Sequence, residues 1–189
     1  MNKFFAPMLL AVVVSGSAIA APVTYEIDPM HSFQTFQYRH MGLSFVRGRF
    51  DKTSGSITLD AAAKRGSVNV SIDVNSINTG VPKLDEHLKG KEFFDTEKFP
   101  TITFKGDHFT FAGDTLTSVA GDLTIHGITK PVTLKVINFA CHEHPMKKVP
   151  ACAANAEVDI KRSEFGVGNY VPLVSDETRL ELEVEAMKQ

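Results

Sequence analysis

Residues 179–186 read Arg179-Leu180-Glu181-Leu182-Glu183-Val184-Glu185-Ala186. Apolar and charged side chains alternate along the whole stretch. A β-strand turns successive side chains to opposite faces, so this segment carries a dry face of Leu180, Leu182, Val184 and Ala186 and a wet face of three glutamates. The same period of two recurs upstream. Val68, Val70, Ile72 and Val74 interleave with Asn69, Ser71, Asp73 and Asn75, and Val132, Leu134 and Val136 with Thr133 and Lys135. Further strand segments are 23–27, 32–40, 44–51, 55–60, 101–111, 116–125 and 154–162. Turn formers punctuate them, as at Thr53-Ser54-Gly55, Ala112-Gly113-Asp114 and His126-Gly127. Only residues 83–90 read as helix, about two turns stopped at Gly90.

Many amphipathic strands with short connections and no crossover helices predict an antiparallel sheet. Strands near ten residues span about 33 Å, a length that favours a closed barrel over a sandwich. The fold class expected is therefore all-β, an antiparallel β-barrel of about eight strands with one short helix. Such a barrel has room for its own side chains or for one small ligand. Parity places Phe36, Tyr38, Val46, Phe50, Ile57, Leu59, the even-numbered Val68–Val74 set, Ile102, Phe104, Leu123, Ile125, Val158, Ile160, Leu180, Leu182 and Val184 inside. That lumen is almost wholly apolar.

The 189 residues carry a formal net charge of -2, with 43% hydrophobic and 22% charged residues. This is an ordinary globular composition. It offers no basic footprint for a phosphate backbone, so no nucleic-acid partner is expected. Residues 1–20 have a different character. Lys3 precedes an apolar run over 4–16 broken only by Ser15, too short to span a bilayer, and Ala18-Ile19-Ala20 supplies a small-x-small cleavage site. The segment reads as a signal peptide cut after Ala20. Residues 21–189 then form one exported, periplasmic domain, with no later run of transmembrane length.

Export bears on the two cysteines, Cys141 and Cys152. In an oxidising compartment a pair this close in sequence is expected to bridge, stapling a polar excursion between two strands at its base. The alternative is a metal site of Cys141, His142, His144 and Cys152, which would make this a metal-handling protein and would need both thiols reduced. Catalytic patterns are absent. There is no Gly-x-Ser-x-Gly elbow, no His-Glu-x-x-His and no phosphate-cradling glycine loop. The chain reads as a binding protein rather than an enzyme, with no cofactor.

A longer pattern runs through the chain: Tyr25-Glu26-Ile27-Asp28-Pro29-x-His31-Ser32, then Phe36, His40-x-Gly42-x-Ser44, Gly48-x-Phe50 and Gly55. Asp85-Glu86-His87-Leu88, Phe93-Phe94-Asp95 and Phe99-Pro100-x-Ile102-x-Phe104 follow. Gly121-Asp122-Leu123-Thr124-Ile125-His126-Gly127-x-Thr129-Lys130-Pro131-Val132 and Arg162-Ser163-Glu164-Phe165-Gly166 complete it. In order and spacing this resembles the YceI-like family of exported polyisoprenoid-binding proteins, over essentially all of 23–187. The resemblance implies a lipocalin-like barrel that encloses an isoprenoid chain, either a prenyl quinone such as ubiquinone or a prenyl phosphate, for transport, storage or sequestration. It implies no catalytic activity. One position departs: the family often has Arg immediately before the Asp-x-His-Leu element, and here Leu84 stands there, so no head-group contact is carried over from it.

On this reading the tunnel lining is Phe36, Tyr38, Val46, Phe50, Phe104, Leu123, Ile125, Val158 and Leu182, with Phe93 and Phe94 lining or plugging one end. His31, His40, Asp85 and His87 have two readings. They form a polar cluster at the mouth for the lipid head, or they tether loops and the short helix to the rim by hydrogen bonds, which is the commoner use of Asp and His. Arg162, at a strand end, reads as an ion-pair partner on the rim.

Overall fold

The computed structural model describes residues 21–189, so the signal-peptide reading of 1–20 lies outside the described residues. Eleven strands follow in chain order: β1 (Val23–Ile27), β2 (Phe33–His40), β3 (Ser44–Phe50), β4 (Thr53–Asp60), β5 (Arg65–Asp73), β6 (Ile77–Asn78), β7 (Thr101–Ala112), β8 (Thr115–Ile125), β9 (Ile128–Glu143), β10 (Pro150–Lys161) and β11 (Val174–Lys188). Helix α1 (Pro82–Lys89) starts on a proline, whose missing N–H costs nothing in a first helical turn, and stops at Gly90. Eight strands close a ring, β1-β4-β5-β7-β8-β9-β10-β11, sealed where β1 returns to β11. Every pairing in it is antiparallel. The expected barrel and single helix are what the described residues form.

Parity holds along β11. Thr178, Val184 and Ala186 are buried and Leu180 and Leu182 pack against the core, while Glu181 and Glu183 face solvent. A one-residue slip would put carboxylates in the apolar interior, where each unpaired charge costs several kcal/mol.

The sheet also branches. β11 is 15 residues long, too long for one neighbour on its open side. Its C-terminal end pairs with β1, from Ala186 to Lys188, and its earlier part with β2, from Val174 to Glu183. Strand β2 then carries β3, and β3 carries β6. The track breaks at the turn 28–32, and Ser32 repairs the ladder there. Its fully buried hydroxyl donates to Glu185 O at 3.2 Å and accepts from Glu185 N at 3.0 Å. One end of the barrel is thus closed by β1. Along its earlier part, β11 pairs with the hairpin of β2 and β3 instead.

Two local expectations are corrected. Thr53-Ser54-Gly55 is not a turn but the first part of β4, with Gly55 opposite Val70. A Cβ on Gly55 would meet Asn69 O at 2.0 Å, so the glycine serves close strand approach. The polar excursion expected over 141–152 is shorter than that span: β9 runs to Glu143 and β10 starts at Pro150, leaving only 144–149 as the connection of a hairpin in whose ladder Cys141 and Cys152 are directly opposed. They are bonded, S–S 2.10 Å, with Cα atoms 4.1 Å apart. The covalent loop is short, so Cys141→Ser/Cys152→Ser should lose about 2–3 kcal/mol, read as a lower urea midpoint at unchanged slope.

Candidate functional site

Inward side chains do not fill the barrel. They leave a cavity of about 530 Å³, within the range of about 300–1,000 Å³ usual for sites that enclose a small molecule. Its walls come from both branches of the sheet. Strands β2 and β3 give Phe36, Tyr38, Val46 and Phe50; β7 and β8 give Phe104, Leu123 and Ile125; β10 and β11 give Val158 and Leu182. Phe93 and Phe94, just after α1, line it as well. All eleven lining residues predicted from parity and pattern border the one cavity.

Aromatic packing shapes the wall. Phe36 stacks with Tyr38 at 6.3 Å and tilts against Phe50 at 5.7 Å, and Phe50 meets Phe94 edge-on at 5.9 Å. Such pairs hold their geometry beyond simple burial. Gly48 is opposite Phe36 in the ladder, and a Cβ there would stand 2.3 Å from the end of the Phe36 ring. Any larger residue would push that ring into the cavity.

The mouth is formed by Met41, Leu84, His87, Tyr170 and Leu173, together with His40. His87 lies against Phe93 at 5.0 Å and Tyr170 at 6.3 Å, an aromatic cluster joining α1 to the loop before β11. Leu84 occupies the lining where the resemblance would place an arginine, so the mouth is apolar at that point.

The five proposed rim residues do not form one cluster. His40, His87 and Arg162 border the cavity; His31 and Asp85 do not. His31 sits in the turn before β2 and bonds Asp28 at 2.9 Å. His40 lies nine positions further along the chain, roughly 30 Å of strand, which puts His31 at the opposite end of the barrel. The bond holds the Asp28 carboxyl below its usual value and His31 above its own. Asp85 accepts from Thr79 N at 2.7 Å and Thr79 Oγ1 at 2.6 Å, tying the start of α1 to the strand before it. Both side chains are engaged in local hydrogen bonds of the tethering kind and stand outside the cavity lining.

Arg162 is the larger correction. It is no surface ion-pair partner. It is buried, and its guanidinium donates to four backbone carbonyls: Nε to Ser175 at 2.8 Å, Nη1 to Val167 at 2.7 Å and Asn169 at 2.9 Å, and Nη2 to Val174 at 2.9 Å. The 3-10 turn of 162–165 ends at Gly166 with φ 73, and the chain then loops back so that its carbonyls face the guanidinium. Burial pulls the Arg162 pKa down, and nearby Asp176 opposes that. Five N–H groups minus the four engaged leaves one on Nη2 without a protein acceptor among the described residues.

Sequence reading missed Gln34 and Thr178. Gln34 is satisfied, accepting from Thr53 and donating weakly to Glu183 O. Thr178 is not: its buried Oγ1 has no hydrogen-bond partner among the described residues, and the residue lines the cavity directly opposite Tyr38 in the ladder. Burial pushes the Tyr38 phenol up, with Arg162 close enough to pull it partly back. Inward parity of β11 was the signal that would have found Thr178, since it shares a face with Leu180 and Leu182.

The metal reading loses its ligands. Both sulfurs are spent in the disulfide, and His144 Nδ1 faces the backbone N–H groups of Met146 and Lys147 at 3.2 and 3.1 Å. Among the described residues no group of three or more His, Cys, Asp or Glu is placed to hold a metal ion.

Known proteins can now be set beside this geometry. The pattern of a YceI-like domain matches residues 25–186. Protein YceI of Salmonella arizonae is 34% identical over 176 residues, covering 93% of this chain and 91% of that protein. The crystal structure of Burkholderia cenocepacia BcnA superposes with a TM-score of 0.72 at 27% identity, over 85% of this chain and 99% of that one. A polyisoprenoid-binding domain from Saccharophagus degradans, implicated in plant cell wall breakdown, shares the fold at 17% identity and a TM-score of 0.68, over 88% of this chain and 99% of that one. By this sequence match along nearly its whole length, with a barrel to suit, the chain belongs to the YceI-like family.

Proposed function

We propose that this protein binds one polyisoprenoid lipid, with the prenyl chain along the apolar cavity and the head group near Tyr38, Thr178 and Arg162. One observation carries the reading: an apolar cavity of about 530 Å³ whose lining holds a buried hydroxyl with no partner, Thr178 Oγ1. A prenyl chain is nearly all apolar surface, and each buried methylene contributes about 0.8 kcal/mol. An orphaned buried hydroxyl is costly, and a ligand oxygen that accepts from it removes the cost.

The same groups favour a neutral head, a prenyl quinone such as ubiquinone, over a prenyl phosphate. Tyr38 and Thr178 each offer a hydroxyl, and Arg162 has one N–H left beyond its four carbonyls. A quinone carbonyl needs one or two such donors. A phosphate draws its affinity from several charge-assisted bonds, usually from a free guanidinium fork. The leader and the disulfide support an exported, periplasmic setting in which the protein carries, stores or sequesters the lipid. It acts as a binding protein, not an enzyme.

Native mass spectrometry with lipid extraction, on protein purified from its own host, tests this. One prenyl quinone per chain is expected. A prenyl phosphate in its place overturns the head-group assignment, and protein purified without lipid that also fails to take up a prenyl quinone overturns the whole reading. Thr178→Val should weaken quinone binding about fivefold, the worth of one hydrogen bond of about 1 kcal/mol, with little change in stability.

A further inference from the structure

We infer that the rim of the cavity is a membrane-docking surface that seats on an anionic lipid bilayer. The inference deepens the lipid-binding reading, because it supplies the route by which so apolar a ligand would enter. Its first element is the hairpin of β2 and β3. Leu43 at its tip is 86% exposed, with Met41 and Phe45 beside it also exposed. The second is the loop before β11, where Leu173 is 63% exposed and Tyr170 and Val171 join it. The two are one surface. Met41 N donates to Leu173 O at 2.8 Å, and Arg39 N to Ser175 Oγ at 2.9 Å. Met41, Tyr170 and Leu173 also line the cavity, so the patch and the mouth are continuous.

A folded chain rarely leaves such large side chains grouped in water, and grouping marks a surface that meets something apolar. Charge identifies the occupant. There is no acidic residue between Asp28 and Asp51, nor between Glu164 and Asp176, so both segments are free of negative charge. Arg39 and Arg47 stand on the outer face of the hairpin, and neither has an acidic partner within 4 Å among the described residues. Arg39 lies over the Phe45 ring at 5.0 Å, its charge held directly behind the apolar tip. Apolar side chains in front with unpaired cations behind them match the layering of a bilayer surface, acyl chains below anionic head groups. Because Met41, Tyr170 and Leu173 belong both to this patch and to the cavity lining, a bilayer seated on the patch would meet the cavity mouth directly.

Co-sedimentation of residues 21–189, which contain all eleven described strands and the closure of the ring, with phosphatidylglycerol–phosphatidylcholine vesicles tests this. The protein should pellet with these vesicles, less with phosphatidylcholine alone, and less as salt is raised. Arg39→Gln/Arg47→Gln should weaken binding roughly 25-fold, at about fivefold per cation lost near the surface. Leu43→Ser/Val171→Ser should weaken it at least tenfold. None of these four residues lines the cavity, so both variants should still take up a prenyl quinone presented in detergent micelles, and far-UV circular dichroism should be unchanged. Failure of the wild type to bind the anionic vesicles, or undiminished binding by both variants, overturns the docking surface. Normal vesicle binding with no uptake from micelles instead leaves docking in place and removes the lipid-carrier reading.

Discussion

Arg162→Met should lower stability by about 4 kcal/mol, a large part of the roughly 5–15 kcal/mol that holds a domain together. The side chain is close to isosteric along its stem, so little packing is lost. What is lost is a set of four charge-assisted bonds, to the carbonyls of Ser175, Val167, Asn169 and Val174. Each carbonyl left buried without a donor costs about 1–3 kcal/mol, and those near the surface recover part of this from water. Arg162→Lys should rescue little, since a single ammonium cannot span the fork-shaped arrangement of acceptors. Urea denaturation measures the change. A loss under about 1 kcal/mol would mean that the loop holds its shape without the guanidinium. The same variant should impair lipid uptake beyond its effect on stability, because the freed loop carries Tyr170 and Leu173 of the mouth.

Leu182→Glu should reduce prenyl-lipid affinity at least a hundredfold at neutral pH while the barrel still folds. Leu182 lines the cavity, where an added carboxylate can draw in water when no ligand is present. A prenyl chain would have to strip that water, and an unpaired buried charge costs several kcal/mol. The sign of the pH effect follows. Desolvation by ligand favours the protonated acid, so affinity should recover as pH falls toward and below the raised carboxyl pKa. Leu182→Met, which keeps volume and polarity, should stay within a few-fold of wild type. Titration of a fluorescent prenyl analogue against folded variants reads all three. Full affinity of the glutamate variant at neutral pH would move the ligand elsewhere.

How much of this was legible before the fold was seen depends on the kind of information each feature needs. The inside of β11 could be read residue by residue, since an alternating strand has one register that spares its glutamates. The cavity wall followed from the same rule on other strands. The rule fails where a strand gains a residue. Bulges between Gly106 and His108 and between Asn155 and Ala156 shift the count, so Phe109 and Phe111 on β7 and Phe139 on β9 pack against the core on odd numbers that simple parity puts outside. The branching of the sheet was also out of reach, because period two says which face a residue takes and nothing about which strand lies beside it. His31 was grouped with His40 on motif order, yet the strand between them carries the two to opposite ends. Arg162 looked like a surface cation because its type usually is one. Only the return of the chain after Gly166, which brings four carbonyls to it, makes it a buried organiser.

The place of β11 has a consequence for how the chain acquires its shape. Strand β11 is the partner of β1, of β2 and of β10, so segments about 150 residues apart must meet before the ring exists. While a growing chain lacks residues 174–188, β1 and β2 have no β11 to pair with and β10 presents a bare edge. Contacts of such long sequence separation form slowly, because loop closure must come before they give any return. The incomplete chain is then a set of exposed strand edges and apolar faces, the form most prone to pair with another copy. Productive folding therefore waits for residues 174–188, and a chain cut by even a few residues within the stretch of β11 that pairs with β1 loses the closure itself rather than one strand among many.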